Sequence, residues 1–199
     1  QKDRYPLSPV QKGIYFQTML DPSGLLYNMS GAFLLKEAPE KERLQKAFEK
    51  LIAGEELLRT SFRQEPEGIF AFVEDKVPFE LQKVLAGNIQ EAIEGFSAPF
   101  DLSKAPLLRA GLWRDPQGQV YLLLDSHHII GDGLTTPILL ERLSAYYEGK
   151  NPRLPERTYL DYACWLDEQG GAGDEDKEYW RDHLTPMPEP LALPGDHAR

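Results

Sequence analysis

Two adjacent histidines carry most of the chemistry this sequence can offer. They lie in Asp125-Ser126-His127-His128-Ile129-Ile130-Gly131-Asp132-Gly133, and the whole chain holds only four histidines. Imidazole, with an unperturbed pKa of about 6.5, is the side chain suited to accepting a proton near neutrality. On an extended backbone successive side chains point to opposite faces, so His127 and His128 cannot share one task. One is expected to face the interior and the other a cleft. Asp132 can turn back to brace the loop or orient an imidazole. Gly131 and Gly133 permit backbone angles closed to other residues and let a backbone N–H approach a ligand. Two blander readings stay open at this level. One is a His pair buried at a strand end with Asp132 capping the loop. The other is a metal site, for which the rings diverge and no third ligand is positioned.

The loop needs a rigid support, and the residues before it supply one. Val120-Tyr121-Leu122-Leu123-Leu124 is apolar without alternation, as expected of a strand covered on both faces. It predicts a central strand, paired in a hairpin with Leu107 to Trp113 across Arg114 to Gln119. A reactive group at the end of such a strand is held by a stiff scaffold. After the loop, Thr136-Pro137 reads as cap and first residue of a helix carrying Ile138, Leu139, Leu143, Tyr146 and Tyr147, closed by Gly149.

Elsewhere Ser8-Pro9 opens a helix running to about Met19, where Ser8 is most simply a cap. Residues 26–36 read as a strand. Leu44, Ala47, Phe48, Leu51 and Ile52 recur at helical spacing and predict a helix over 40–53. Leu57 to Arg63 and Ile69 to Glu74 flank a hairpin turn, with Val77 to Val84 expected to extend their sheet. Helices are predicted over 88–97, Tyr159 to Asp167 and Asp174 to Leu184, the last two separated by Gly170 to Gly173. The mixture predicts an α/β (α+β layered) fold, with helices packed on a mixed sheet.

Composition narrows the class. The chain has 199 residues, 22 Lys+Arg against 32 Asp+Glu, a net charge of −10 and 41% hydrophobic residues. It is core-forming, and its acidic balance excludes a general binder of the phosphate backbone. No nucleic acid is expected as partner. The single cysteine, Cys164, excludes an intrachain disulfide and, with no signal-peptide pattern, makes a cytoplasmic protein the expectation. No apolar run nears the ~20 residues that span a bilayer, so no membrane is expected. The start at Gln1 without Met is expected of an excised piece. The stretch from Thr185 to Arg199, with four prolines, reads as a linker leaving a domain.

Taken together these residues resemble a known family. His127 to Gly133 is similar to the H-H-x-x-x-D-G signature of nonribosomal peptide synthetase condensation domains, in the chloramphenicol acetyltransferase-like superfamily. Tyr5-Pro6-Leu7-Ser8-Pro9-Val10-Gln11 resembles the family's opening motif. Leu58-Arg59-Thr60-Ser61-Phe62 matches the end of R-H-E-x-L-R-T-x-F. Phe100 to Arg109 resembles F-D-L-x-x-x-P-L-L-R, and Tyr159 to Trp165 resembles Y-x-D-Y-A-x-W. Gly54 and Glu55 depart from the Arg and His of the second motif, and Gly131 replaces a frequent Ser.

The resemblance implies that residues 1–184 form an N-terminal, donor-side lobe, that 185–199 begin an interlobe linker, and that the C-terminal lobe is absent. The implied reaction joins an acceptor amine to a donor thioester. Catalytic roles fall on His128, as base or orienter of the amine, and on Gly133, whose N–H would stabilise the oxyanion. His127, Asp132 and Arg59 are implied to be structural at the active site, with an Asp132–Arg59 ion pair holding the loop. No cofactor is bound directly; phosphopantetheine is carried by partner carrier domains. The implied partners are peptidyl carrier (thiolation) domains, the C-terminal lobe and an adjacent adenylation domain. Three functional readings remain: condensation, a related epimerization or acyltransferase activity, and an inactive carrier-binding lobe.

Overall fold

The computed structural model describes residues 3–170 and 173–189. In chain order it contains β1 (Tyr5–Pro6), α1 (Pro9–Leu20), β2 (Asn28–Leu34), α2 (Lys41–Gly54), β3 (Thr60–Glu65), β4 (Gly68–Val73) and β5 (Gln82–Val84). There follow α3 (Ile89–Phe96), β6 (Leu108–Arg114), β7 (Val120–His127), α4 (Thr135–Tyr147), α5 (Tyr159–Glu168) and α6 (Asp174–His183). Single 3-10 turns occupy Glu56–Arg59 and His128–Ile130.

Local chemistry sets the helix boundaries. The Ser8 hydroxyl accepts the Gln11 N–H while the Gln11 side chain accepts the Ser8 N–H, a reciprocal cap that starts α1 with Pro9 in its first turn. In α2 the residues buried are Leu44, Ala47, Phe48, Leu51 and Ile52, the five at helical spacing. Each such buried Leu, Ile or Phe contributes about 1.5–3 kcal/mol relative to exposure.

The strands form two sheets, β1-β4-β3 and β2-β7-β6-β5. In the larger one β7 runs antiparallel to both neighbours, and β5 is parallel to β6. Both faces of β7 are covered. Leu122 and Leu124 join the main core with Phe48, Leu51, Phe62 and Leu102, whereas Leu123 meets Trp113, Ala92 and Phe96 on the α3 side. The unalternating run of the sequence therefore belongs to a central strand, as expected.

Two expectations are corrected. Val77 to Val84 does not extend the β3–β4 hairpin: only Gln82–Val84 is strand, and it pairs with β6 in the other sheet. The preceding stretch finds its backbone partners in a side chain, because Gln45 donates to Phe79 O and accepts from Leu81 N. Leu57 to Arg59 is a 3-10 turn rather than strand, which drives Leu58 into the core. Of the predicted linker, 190–199 lie outside the described residues, as do Gly171 and Ala172 of the glycine-rich separator. Among the described residues no helix is long and apolar enough to cross a membrane.

Candidate active site

The two histidines separate as the alternation of a strand requires. His127 ends β7 and is 2% exposed; His128 begins the 3-10 turn and is exposed. The His127 ring sits edge-on to Phe100 and tilted against Tyr27. Its Nδ1 accepts the Ile129 N–H at 3.2 Å. Its Nε2 lies 3.3 Å from the Thr18 hydroxyl, which itself donates to Ile14 O. One tautomer satisfies this chain: neutral imidazole with the proton on Nε2, given to Thr18. Burial pushes the imidazole down to about 4, with the charge of His128 adding to the effect. A proton on Nδ1 would face the Ile129 N–H, donor against donor.

His128 is held through its backbone while its side chain is exposed. Its N–H donates to Tyr27 O at 2.8 Å, and the next residue, Ile129, is buried on both its N–H and its side chain. The peptide chain is thus pinned on either side of an imidazole that reaches solvent.

Asp132 is a helix cap. Its Oδ1 accepts the Leu134 N–H and the Thr135 N–H, both at 3.0 Å, and the Thr135 hydroxyl at 2.9 Å, while the Asp132 N–H donates to that hydroxyl. These bonds, led by the Thr135 hydroxyl, hold the carboxyl below its usual range. They also start α4 at Thr135, one residue before the cap predicted at Thr136. The implied Asp132–Arg59 ion pair does not form among the described residues. Arg59 turns its guanidinium to the Glu74 carbonyl instead, leaving Nε buried without a partner there. Its 3-10 turn leads directly into β3 and places it against the end of β4, while the Asp132 lone pairs are taken by the helix start.

The glycines serve closeness rather than unusual backbone angles. Neither Gly131 nor Gly133 has a positive φ of the left-handed kind; Gly131 is extended at φ 175°. A Cβ on Gly131 would lie 2.8 Å from Thr135 Cγ2, so the cap excludes the Ser frequent at this position in the family unless Thr135 moves. At Gly133 a Cβ would meet nothing within 4 Å, and its N–H has no partner among the described residues. That leaves an exposed donor five residues beyond His128.

A cluster that the motif reading passed over lies beneath the loop. Asp125, wholly buried, accepts Asn28 Nδ2 on both oxygens and the Ser30 hydroxyl on one, and pairs with Arg109 at 3.2 Å. Arg109 also donates to Ala98 O and stacks over Phe100. Burial pushes the Asp125 carboxyl up, and the Ser30 bond, the Arg109 charge and the Asn28 bonds oppose it. A signal for this was present: counting back along the β6–β7 hairpin from Arg114 opposite Val120 brings Arg109 opposite Asp125.

The chain compares with known proteins as follows. Residues 1–199 match the family model described as Condensation domain. A plipastatin synthase of Bacillus subtilis (strain 168) is 38% identical over 204 residues, covering 100% of this chain and 8% of that protein. Surfactin synthase subunit 2 of the same organism is 36% identical over 200 residues, covering 100% of this chain and 6% of that protein. Among solved structures, a mutant starter condensation domain of rhizomide synthetase RzmA superposes with a TM-score of 0.78 at 21% identity, covering 95% of this chain and 50% of that chain. The last likeness is one of fold, that of a chloramphenicol acetyltransferase-like lobe, and the chain spans half of the solved domain and under a tenth of the synthetases.

Proposed function

The chain belongs to the condensation domain family, and from that premise we propose that it is the N-terminal lobe of a two-lobed domain that forms peptide bonds in nonribosomal peptide synthesis. The observation that carries this reading is the division of labour in the histidine pair: His127 is locked neutral in the core, and His128 is presented to solvent on a pinned backbone.

In the proposed step the α-amine of an acceptor aminoacyl thioester attacks the carbonyl of a donor thioester. A C–N bond forms, the C–S bond breaks, and the donor carrier's phosphopantetheine thiol leaves with a proton. His128 takes the amine proton or orients the lone pair by a hydrogen bond. The Gly133 N–H, without a partner among the described residues, is the candidate donor to the oxyanion. His127 and Asp132 build the loop, the one by filling the core and the other by starting α4. The partners of this reading are two carrier domains, an adenylation domain that loads them and a second lobe closing the tunnel, all cytoplasmic. Since alignment of two carrier-borne substrates supplies much of the rate, the 199-residue chain alone is expected to be inactive.

The test is amide formation between loaded carrier domains by the complete condensation domain. His128→Ala should slow it about 10²–10⁴-fold with melting unchanged, because the side chain is exposed. Full activity in that variant, or inversion of the donor α-carbon without a new amide, would overturn the proposal.

A further inference from the structure

The opening helix does more than pack beside the histidine loop. Gln11 is 2% exposed, and both ends of its amide are in use. Its Oε1 accepts the Ser8 N–H at 3.2 Å, completing the α1 cap; its Nε2 donates to Ile129 O at 3.0 Å. The orientation of the amide is fixed by these partners, since one is an N–H and the other a carbonyl. Ile129 is itself buried, so its carbonyl has no water to fall back on and depends on this donor.

A reciprocal cap accepts Glu as readily as Gln at this position. The cap alone therefore does not require an amide here, and the second bond does. Two helical turns further along the same face, Thr18 meets His127 Nε2. One helix thus grips the loop on both sides of His128, at His127 through Thr18 and at Ile129 through Gln11. On the opposite side Tyr27 O holds the His128 N–H.

We propose that Gln11 is a positioning residue for His128: by tethering the Ile129 carbonyl it fixes the His128–Ile130 turn, and with it the direction in which the imidazole is presented. The proposal rests on the reading of His128 as the group that handles the acceptor amine. Breaking the tether lets the turn rotate and the imidazole wander by a distance of the order that costs up to about 10²-fold in rate.

The experiment uses the complete condensation domain with loaded carrier domains. Gln11→Glu keeps the acceptor for Ser8 and replaces the donor to Ile129 by a carboxylate oxygen. It should lower kcat about 10- to 100-fold, leave KM for both carriers within about twofold, and shift the His128 imidazole signal in the NMR spectrum. Ser8→Ala, which removes the cap bond to Gln11 N–H and spares the tether, should lower the melting temperature and leave kcat within about twofold. If Gln11→Glu does not fold, Gln11→Met, which removes both bonds of the amide, is read against Ser8→Ala, which weakens the cap alone: a fall in kcat beyond that of Ser8→Ala supports the tether, and an equal one overturns it. An unmoved imidazole signal with unchanged kcat in the Gln11 variant overturns the proposal, as does equal loss of kcat in the Ser8 variant. His128→Ala with full activity overturns instead the role of His128, and the NMR shift distinguishes that failure from failure of the tether.

Discussion

Arg109 stands directly across the β6–β7 ladder from Asp125, its guanidinium 3.2 Å from a carboxylate with 0% exposure. Two further segments meet on this pair: Asn28 and Ser30 of β2 donate to the carboxylate, and Ala98 O and the Phe100 ring, in the stretch between α3 and β6, receive the guanidinium. Removing one charge strands the other in the interior. Arg109→Ala should therefore cost about 3–5 kcal/mol by chemical denaturation. Arg109→Lys should recover little, since an ammonium cannot both fork and stack. The Arg109→Met/Asp125→Leu double variant should be less destabilised than the sum of Arg109→Met and Asp125→Leu alone; strict additivity would show that the pair is not coupled.

His127 gives the fold an acid sensitivity of its own. Its imidazole is held at about 4 in the folded protein, against an ordinary value of 6.5. Between those values the unfolded chain binds a proton that the folded chain refuses. Stability from this group is complete above pH 6.5 and is lost as pH falls toward 4, by about 3 kcal/mol in all. Urea denaturation of the wild type and His127→Gln across pH 4–8 should give a difference that shrinks as pH falls through that window. A difference independent of pH would show that the ring is not the neutral group described.

Much of this architecture was legible because it is written in local pattern. Leu44 through Ile52 declare α2 by spacing, Ser8-Pro9 declares the start of α1, and the apolar run Val120 to Leu124 declares the strand that carries the histidines. What escaped depends on partners distant in the chain. Gln45 satisfies the backbone of Phe79 and Leu81, so a stretch with strand composition does not become strand. Arg59 lies against Glu74 because of where β3 meets β4, which no motif encodes. The alternation of His127 and His128 was readable from strand geometry; the tautomer of His127 was not, because Thr18 lies 109 residues away. Arg109 opposite Asp125 falls between these cases, readable once the hairpin register is counted.

Asp132 offers a direct measure of cap against ion pair. As a cap its removal costs about 1 kcal/mol, and Asn, which caps as well, should restore most of it. A buried ion pair would instead lose about 3–5 kcal/mol and would not be rescued by a neutral amide. Thermal melts of Asp132→Ala and Asp132→Asn should follow the first pattern, with Arg59→Ala additive to both. Coupling between Asp132 and Arg59 in a double-mutant cycle would contradict the geometry.

The departures at Gly54 and Glu55 make a final prediction, because the structure shows them fitted to α4. Glu55 forms a largely buried ion pair with Arg142 of that helix. A Cβ on Gly54 would already lie 3.0 Å from the Tyr146 hydroxyl and 3.2 Å from Leu154 Cδ1. Restoring the family's residues should thus harm this chain. Gly54→Arg must displace Tyr146 or Leu154, an overpacking cost of about 1–3 kcal/mol. Glu55→His leaves the Arg142 guanidinium without its carboxylate, a further cost of about 1–3 kcal/mol. Removing both charged partners, as in Glu55→Gln/Arg142→Met, should be milder than the sum of the single changes. Since α4 begins at the Asp132 cap beside the histidine turn, the same variants report whether strain at the α2–α4 contact reaches the loop. A lower melting temperature with an unshifted His128 NMR signal is the expected result, because α1 and Tyr27, not α2, hold that turn.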